Sequence, residues 1–301
     1  MRCYALILAA CAASTLTWSA AANSQPAAQA AAVEERLPHI SIQAIGEGSP
    51  VVLIPGLATP RAVWDGIAPD LAKAHRVILV QVNGVAGDNP GANLQPAVLD
   101  GIVADLHSYL ARHHLGRVAM IGHSMGGLAG LMFAKAHPDK LDRLMVVDTL
   151  PFFGVLMDPA ATAASLKPTA QMMRAKIASA YGKPADAAAI EASVKGLALK
   201  PESVARMKQW GAAADPRVTA EVLYEDLITD VRPQLHGITT PITVIVPWSD
   251  TAFGEERTLG FYKRQYATAP RVSLVGIGDA AHFVMLDQPE KFAAAVQAFV
   301  K

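Results

Sequence analysis

Short runs of β-branched and apolar residues alternate along the chain with longer stretches in which apolar positions recur every three or four residues. "HISIQAI" (39–45) alternates polar and apolar positions and turns through "GEGSP" into "VVLI" (51–54). Five further runs, "RVILVQV" (76–82), "RVAMIG" (117–122), "RLMVVD" (143–148), "ITVIVP" (242–247) and "RVSLVGI" (271–277), are almost continuously apolar. Such runs predict strands covered on both faces. Helical periodicity fills the intervals at about 63–74, 96–114, 125–137, 255–267 and 289–300. Strand and helix in alternation predict a mainly parallel sheet joined by right-handed crossovers.

The alternation breaks once. Between Asp148 and Ile242 no strand-like run occurs, and Asp158-Pro159 and Asp215-Pro216 each offer a capping aspartate followed by proline at the first helical position. Residues 151–236 are therefore expected to form a helical insertion, dividing a core of 31–150 and 237–301. Its Met157, Met172, Met173 and Met207 suit either ordinary helix packing or an adaptable apolar surface.

Residues 1–30 differ from this body. Arg2 precedes an apolar stretch from Tyr4 to about Trp18, followed by small residues with A-x-A-like sites at Ser19-Ala20-Ala21 and Ala28-Gln29-Ala30. The pattern predicts an export signal, hence a periplasmic or secreted protein, and is too short to span a bilayer. "LAAC" (8–11) resembles a lipoprotein box, so the alternative is an anchor through a lipidated Cys11. The two cysteines, Cys3 and Cys11, both lie in this segment, leaving the mature body without thiols for a disulfide or a thiolate metal site. Twenty-six basic residues balance 26 acidic ones, which gives no field favouring nucleic acid or an anionic membrane. The expected partner is a small, uncharged or hydrophobic molecule.

Candidate chemistry sits where the strand 117–122 meets the next helix. Gly122-His123-Ser124-Met125-Gly126 reads G-x-S-x-G. A strand-to-helix turn this tight needs small residues two before and two after the serine, and it would raise Ser124 Oγ above the carboxyl edge of the sheet. A serine hydroxyl needs a base. Of nine histidines, His282 in the loop "GIGDAAHFVMLDQP" after the last strand is best placed. His75, His107, His113, His114 and His137 fall in exposed helical patterns, His39 and His236 flank strands, and His123 is expected to project away from the serine. The base needs a buried acceptor. Asp250, following "ITVIVP" in "WSD", is preferred, and Asp148, ending an earlier strand at the same edge, is the alternative. The amides of Met125 and of Leu57, in "LIPGLATP" (53–60), are the expected donors to a developing oxyanion.

Strand, "GHSMGG", helix, mid-chain helical insertion, then Asp250 and His282, in the order Ser, Asp, His, resembles the α/β-hydrolase family of esterases and lipases. The resemblance spans about residues 38–301. It implies an α/β-hydrolase fold, a mostly parallel sheet flanked by helices with 151–236 as a lid. It further implies Ser124 as nucleophile, His282 as base, Asp250 as acid, ester substrates, and no metal or organic cofactor. Two departures blur the substrate: Pro55-Gly56 stands where many relatives have His-Gly, and "VNGVAGDNPG" (82–91) replaces an Asp-x-x-Gly-x-Gly-x-Ser loop. The same three groups could serve a cofactor-free perhydrolase, a carbon-carbon bond hydrolase or an acyltransferase. The fold could also persist in a noncatalytic binding protein.

Overall fold

A computed structural model describes residues 34–301, which belong to one compact unit, 32–301. The expected export signal, with Cys3 and Cys11, lies outside the described residues. The chain enters through β1 (Glu34–Arg36), β2 (Ile40–Ile45) and β3 (Ser49–Ile54). A short α1 (Ala68–Leu71) leads to β4 (His75–Val82), α2 (Val98–Arg112), β5 (Val118–His123), α3 (Met125–Ala136) and β6 (Leu141–Val147). Four helices follow, α4 (Ala163–Ala178), α5 (Ala187–Val194), α6 (Pro201–Ala213) and α7 (Pro216–Ile228). The chain then returns through β7 (Ile242–Trp248), α8 (Glu255–Gln265), β8 (Val272–Gly278), α9 (Val284–Asp287) and α10 (Pro289–Val300).

The strands form one sheet in the order β1-β2-β4-β3-β5-β6-β7-β8, antiparallel at β1/β2 and β2/β4 and parallel elsewhere. The continuous apolar runs follow from burial on both faces. Val52 and Ile54 of β3, Leu144 and Val146 of β6, and Val244 and Val246 of β7 pack into one core with α2, α3 and α8. Their neighbours Val51, Leu53, Met145, Val147 and Ile245 point the other way, into a second core with α1 and α10. Successive side chains on a strand face opposite sides, so an interior strand needs apolar residues at every position. The second core is anchored by Trp64, fully buried and stacked on Phe292 at 6.2 Å.

The sheet departs from the pattern at both edges. "RVSLVGI" forms β8 but is not covered on both faces: it ends the sheet, with Val272 and Val275 36% and 37% exposed. An edge strand has one neighbour, and apolar composition alone does not show how many a strand will have. The charged "EER" of β1 also joins the sheet, pairing Glu35 with Ile42 in the absence of any apolar signal. Between β6 and β7, Asp215 caps α7 through the Arg217 amide with Pro216 at the first position, as the pair implied. Asp158-Pro159 instead forms a turn, and α4 starts later, at a Thr162/Ser165 capping box.

Candidate active site

The corner between β5 and α3 is strained. Ser124 has φ 54° and ψ −122°, a conformation that costs a non-glycine residue on the order of 1–3 kcal/mol and persists only when its surroundings impose it. They do so here: the Ser124 amide donates to Val147 O (3.0 Å), while Ser124 O accepts from the Gly127 amide (2.8 Å) and from Thr149 Oγ1 (2.9 Å). The flanking glycines are dictated by space. A Cβ on Gly122 would meet Gly126 O at 2.2 Å, and one on Gly126 would meet Ile54 O at 2.4 Å.

His282 lies between β8 and α9 in a loop held from several sides. Its carbonyl accepts from His123 Nε2 (3.0 Å), and the Phe283 amide donates to Leu197 O (2.9 Å). The buried Asp287 carboxylate accepts from the Ala281 amide (3.0 Å) and from the Leu199 amide (3.0 and 3.1 Å), tying this loop to the start of α6. The His282 ring lies 4.5 Å, centroid to centroid, from that of His123, the residue preceding Ser124.

The carboxylate that meets His282 is Asp148: its Oδ2 lies 2.7 Å from Nδ1. Asp250, the preferred aspartate of the sequence, lies exposed in the turn after β7 and makes no hydrogen bond to His282. Strand order explains the difference. Asp148 directly follows β6, the immediate neighbour of the serine strand β5, whereas Asp250 follows β7, one strand further out. A left-handed φ of 46° marks Asp148 as a second strained position at this edge. Its other oxygen, Oδ1, accepts from the hydroxyl of Tyr262, while Tyr266 OH donates to Thr149 O (2.8 Å). Because the carboxylate can only accept, Nδ1 of His282 carries the hydrogen and Nε2 is left as the basic nitrogen.

Leu57 and Met125 line one small pocket with Val218, Thr219 and Val222 of α7. Gly56 brings the first of these amides close, since a Cβ there would sit 3.2 Å from Ser124 Cβ. The pocket encloses about 10 Å³, the room of roughly one water molecule. Helix α7 forms one wall of it. That helix is fastened by Glu225, whose carboxylate accepts from the Ala97, Val98 and Leu99 amides (2.6, 2.9 and 2.8 Å) at the N-terminus of α2. Of the inserted methionines, Met207 is buried whereas Met157 and Met172 are 45% and 68% exposed; none lines the pocket.

Burial governs the electrostatics. It holds the His123 imidazole well below its ordinary range, reinforced by the nearby His282 charge. It also lifts the Tyr262 hydroxyl well above the usual phenol range, with the negative charge of Asp148 adding to the effect. Asp226 on α7 is pushed up to about 7 by burial, opposed only by attraction to His282. Among the described residues no cluster of three metal-ligating side chains occurs, and no helix is long and apolar enough to cross a membrane.

Sequence reasoning missed the support around Ser124, His282 and Asp148. His123, expected to project away, is fully buried and buttresses the His282 loop. Tyr262 and Tyr266 carried a readable signal, two tyrosines four apart, one in the last turn and one at the C-cap of a helix rich in charged residues. Asp226 and Asp287 carried none. His39, a flanking histidine, belongs to a structural contact, its amide donating to Asp105 Oδ2 (2.6 Å).

Residues 49–289 match the family described as alpha/beta hydrolase fold, and the chain belongs to that family. Over 114 residues it is 32% identical to a pimeloyl-[acyl-carrier protein] methyl ester esterase of Aeromonas hydrophila, covering 38% of this chain and 43% of that protein. Over 110 residues it is 31% identical to an sn-1-specific diacylglycerol lipase of Danio rerio, covering 35% and 33%. The matched segments thus span less than half of these relatives. In fold it is similar to a thermophilic esterase from Thermogutta terrifontis, with TM-score 0.73 and 23% identity over 89% of this chain and 98% of that one.

Proposed function

We propose that this protein is an exported serine hydrolase that cleaves carboxylic esters through an acyl-enzyme. Ser124 Oγ attacks the ester carbonyl while His282 Nε2 takes its proton. Asp148, rather than Asp250, holds the imidazole in the required tautomer and stabilises the imidazolium. The Leu57 and Met125 amides take up the negative charge that develops on the carbonyl oxygen. His282 returns the proton to the leaving alcohol, then activates a water that releases the acid and restores the serine. Export rests on the apolar, small-residue pattern of 1–30.

The observation that carries this reading is the hydrogen-bonded His282–Asp148 pair at the sheet edge occupied by a strained Ser124. Ester relatives support the bond type. A fluorophosphonate probe tests it: wild-type protein is expected to label and Ser124→Ala to remain unlabelled. Failure of folded wild type to label refutes the proposal.

A further inference from the structure

The Asp148 carboxylate has two oxygens, and only one of them faces the imidazole. Oδ2 meets His282 Nδ1 at 2.7 Å, whereas the Tyr262 hydroxyl donates to Oδ1. Among the described residues these are its only hydrogen-bond partners, and no backbone amide donates to either oxygen. Tyr262 lies in the last turn of α8, on the connection from β7 to β8, and is 7% exposed. Four residues on, at the C-cap of that helix, Tyr266 is fully buried and donates to Thr149 O (2.8 Å). The end of α8 is thus joined to residues 148–149 twice, once at the backbone and once at the carboxylate. Burial, reinforced by the charge of Asp148, keeps the Tyr262 hydroxyl protonated across the range in which a histidine titrates, so it remains a donor throughout.

We propose that Tyr262 is a positioning residue of the reaction: its hydroxyl holds the Asp148 carboxylate in the rotation that points Oδ2 at His282, and draws part of the negative charge away from the imidazole. The terminal torsion of an aspartate is soft, so a carboxylate bonded at one oxygen turns easily, and a donor at each oxygen fixes it. A hydrogen bond to a carboxylate also stabilises the anion, and a carboxylate stabilised in this way attracts an imidazolium less strongly. Loss of the hydroxyl therefore has two separable consequences. It leaves a buried oxygen without a donor and loosens the tautomer that the Nδ1 hydrogen bond defines, which slows the reaction. It also returns charge to the oxygen facing His282, which holds the imidazolium more tightly and raises the pH needed to free the base. This inference rests on the reading of Ser124, His282 and Asp148 as nucleophile, base and acid.

The test follows kcat and kcat/KM for nitrophenyl butanoate from about pH 5 to 9 in wild type, Tyr262→Phe and Tyr266→Phe, with circular dichroism to verify folding. Tyr262→Phe is expected to lower kcat roughly tenfold and to move the acidic limb of kcat/KM to higher pH by about half a unit. Tyr266→Phe loses a bond to the backbone only, so its limb should coincide with that of wild type whatever its Tm. A merely structural role for Tyr262 would lower activity without moving the limb. A ring-fluorinated tyrosine at position 262 is a stronger donor of nearly the same shape; it should move the limb to lower pH, and it replaces Tyr262→Phe if that variant does not fold. In an Asp148→Asn background, Tyr262→Phe should cost less than about threefold, because the group it positions is already gone. Wild-type protein that labels with fluorophosphonate, while the limb stays in place or moves to lower pH in Tyr262→Phe or moves equally in Tyr266→Phe, overturns this proposal alone, as does a fluorinated protein whose limb does not fall. Folded wild type that fails to label overturns the serine reading as well.

Discussion

Replacing Asp148 by asparagine removes one charge and leaves the shape almost unchanged. In the proposed cycle His282 becomes an imidazolium while Asp148 stays ionised, with Nδ1 and Oδ2 2.7 Å apart and the two side chains only 23% and 16% exposed. At about 4 Å between charge centres and an effective dielectric of about 20, that attraction amounts to about 4 kcal/mol. At 1.36 kcal/mol per decade this corresponds to about 10³ in rate. The substituted amide could also present its NH₂ to Nδ1 and favour the wrong tautomer, which raises the expected loss towards about 10⁴. Asp250→Asn changes an exposed turn residue and should alter kcat less than about threefold, as surface substitutions away from such features have small effects. Steady-state hydrolysis of a nitrophenyl ester, with circular dichroism to verify folding, measures both variants. An Asp250→Asn enzyme crippled a thousandfold beside an Asp148→Asn enzyme within tenfold of wild type would refute the assignment.

Three other outcomes follow from the geometry. Gly126→Ala places a methyl group 2.4 Å from Ile54 O and 2.5 Å from Pro55 O, so the β3 end must move; a loss of about 1–3 kcal/mol is expected, read as a Tm lowered by about 3–10 °C, and an unchanged Tm would contradict the packing argument. Glu225→Ala strips three α2 amides of their acceptor; hydrogen exchange should accelerate in residues 216–228 as well as at the α2 start, and acceleration at α2 alone would show that the glutamate does not restrain α7. For Asp226, the folded pKa is raised to about 7 from 3.8, so the native state binds more protons across that window and its stability falls as pH rises. The effect is on the order of 4 kcal/mol at most. The Tm of Asp226→Asn minus that of wild type should therefore grow between pH 4 and 8, and a flat difference would show that the carboxyl does not titrate in this range.

Much of the architecture is local chemistry. Apolar runs at interior strands, helical periodicity, Asp215-Pro216 at the start of α7 and glycines around Ser124 all act through neighbouring backbone, so the amino-acid order alone determined them. The corner at Ser124 and the loop of His282 were legible for the same reason: each lies at the end of a recognisable strand. Which aspartate reaches His282 was not, because Asp148 and Asp250 end similar strands and differ only in where the sheet places them. The exposure of β8, the buttressing by His123 and the burial of Asp226 belong to the same category. Each depends on groups far apart along the chain, and only the three-dimensional arrangement brings them within the few ångströms over which hydrogen bonds and desolvation act.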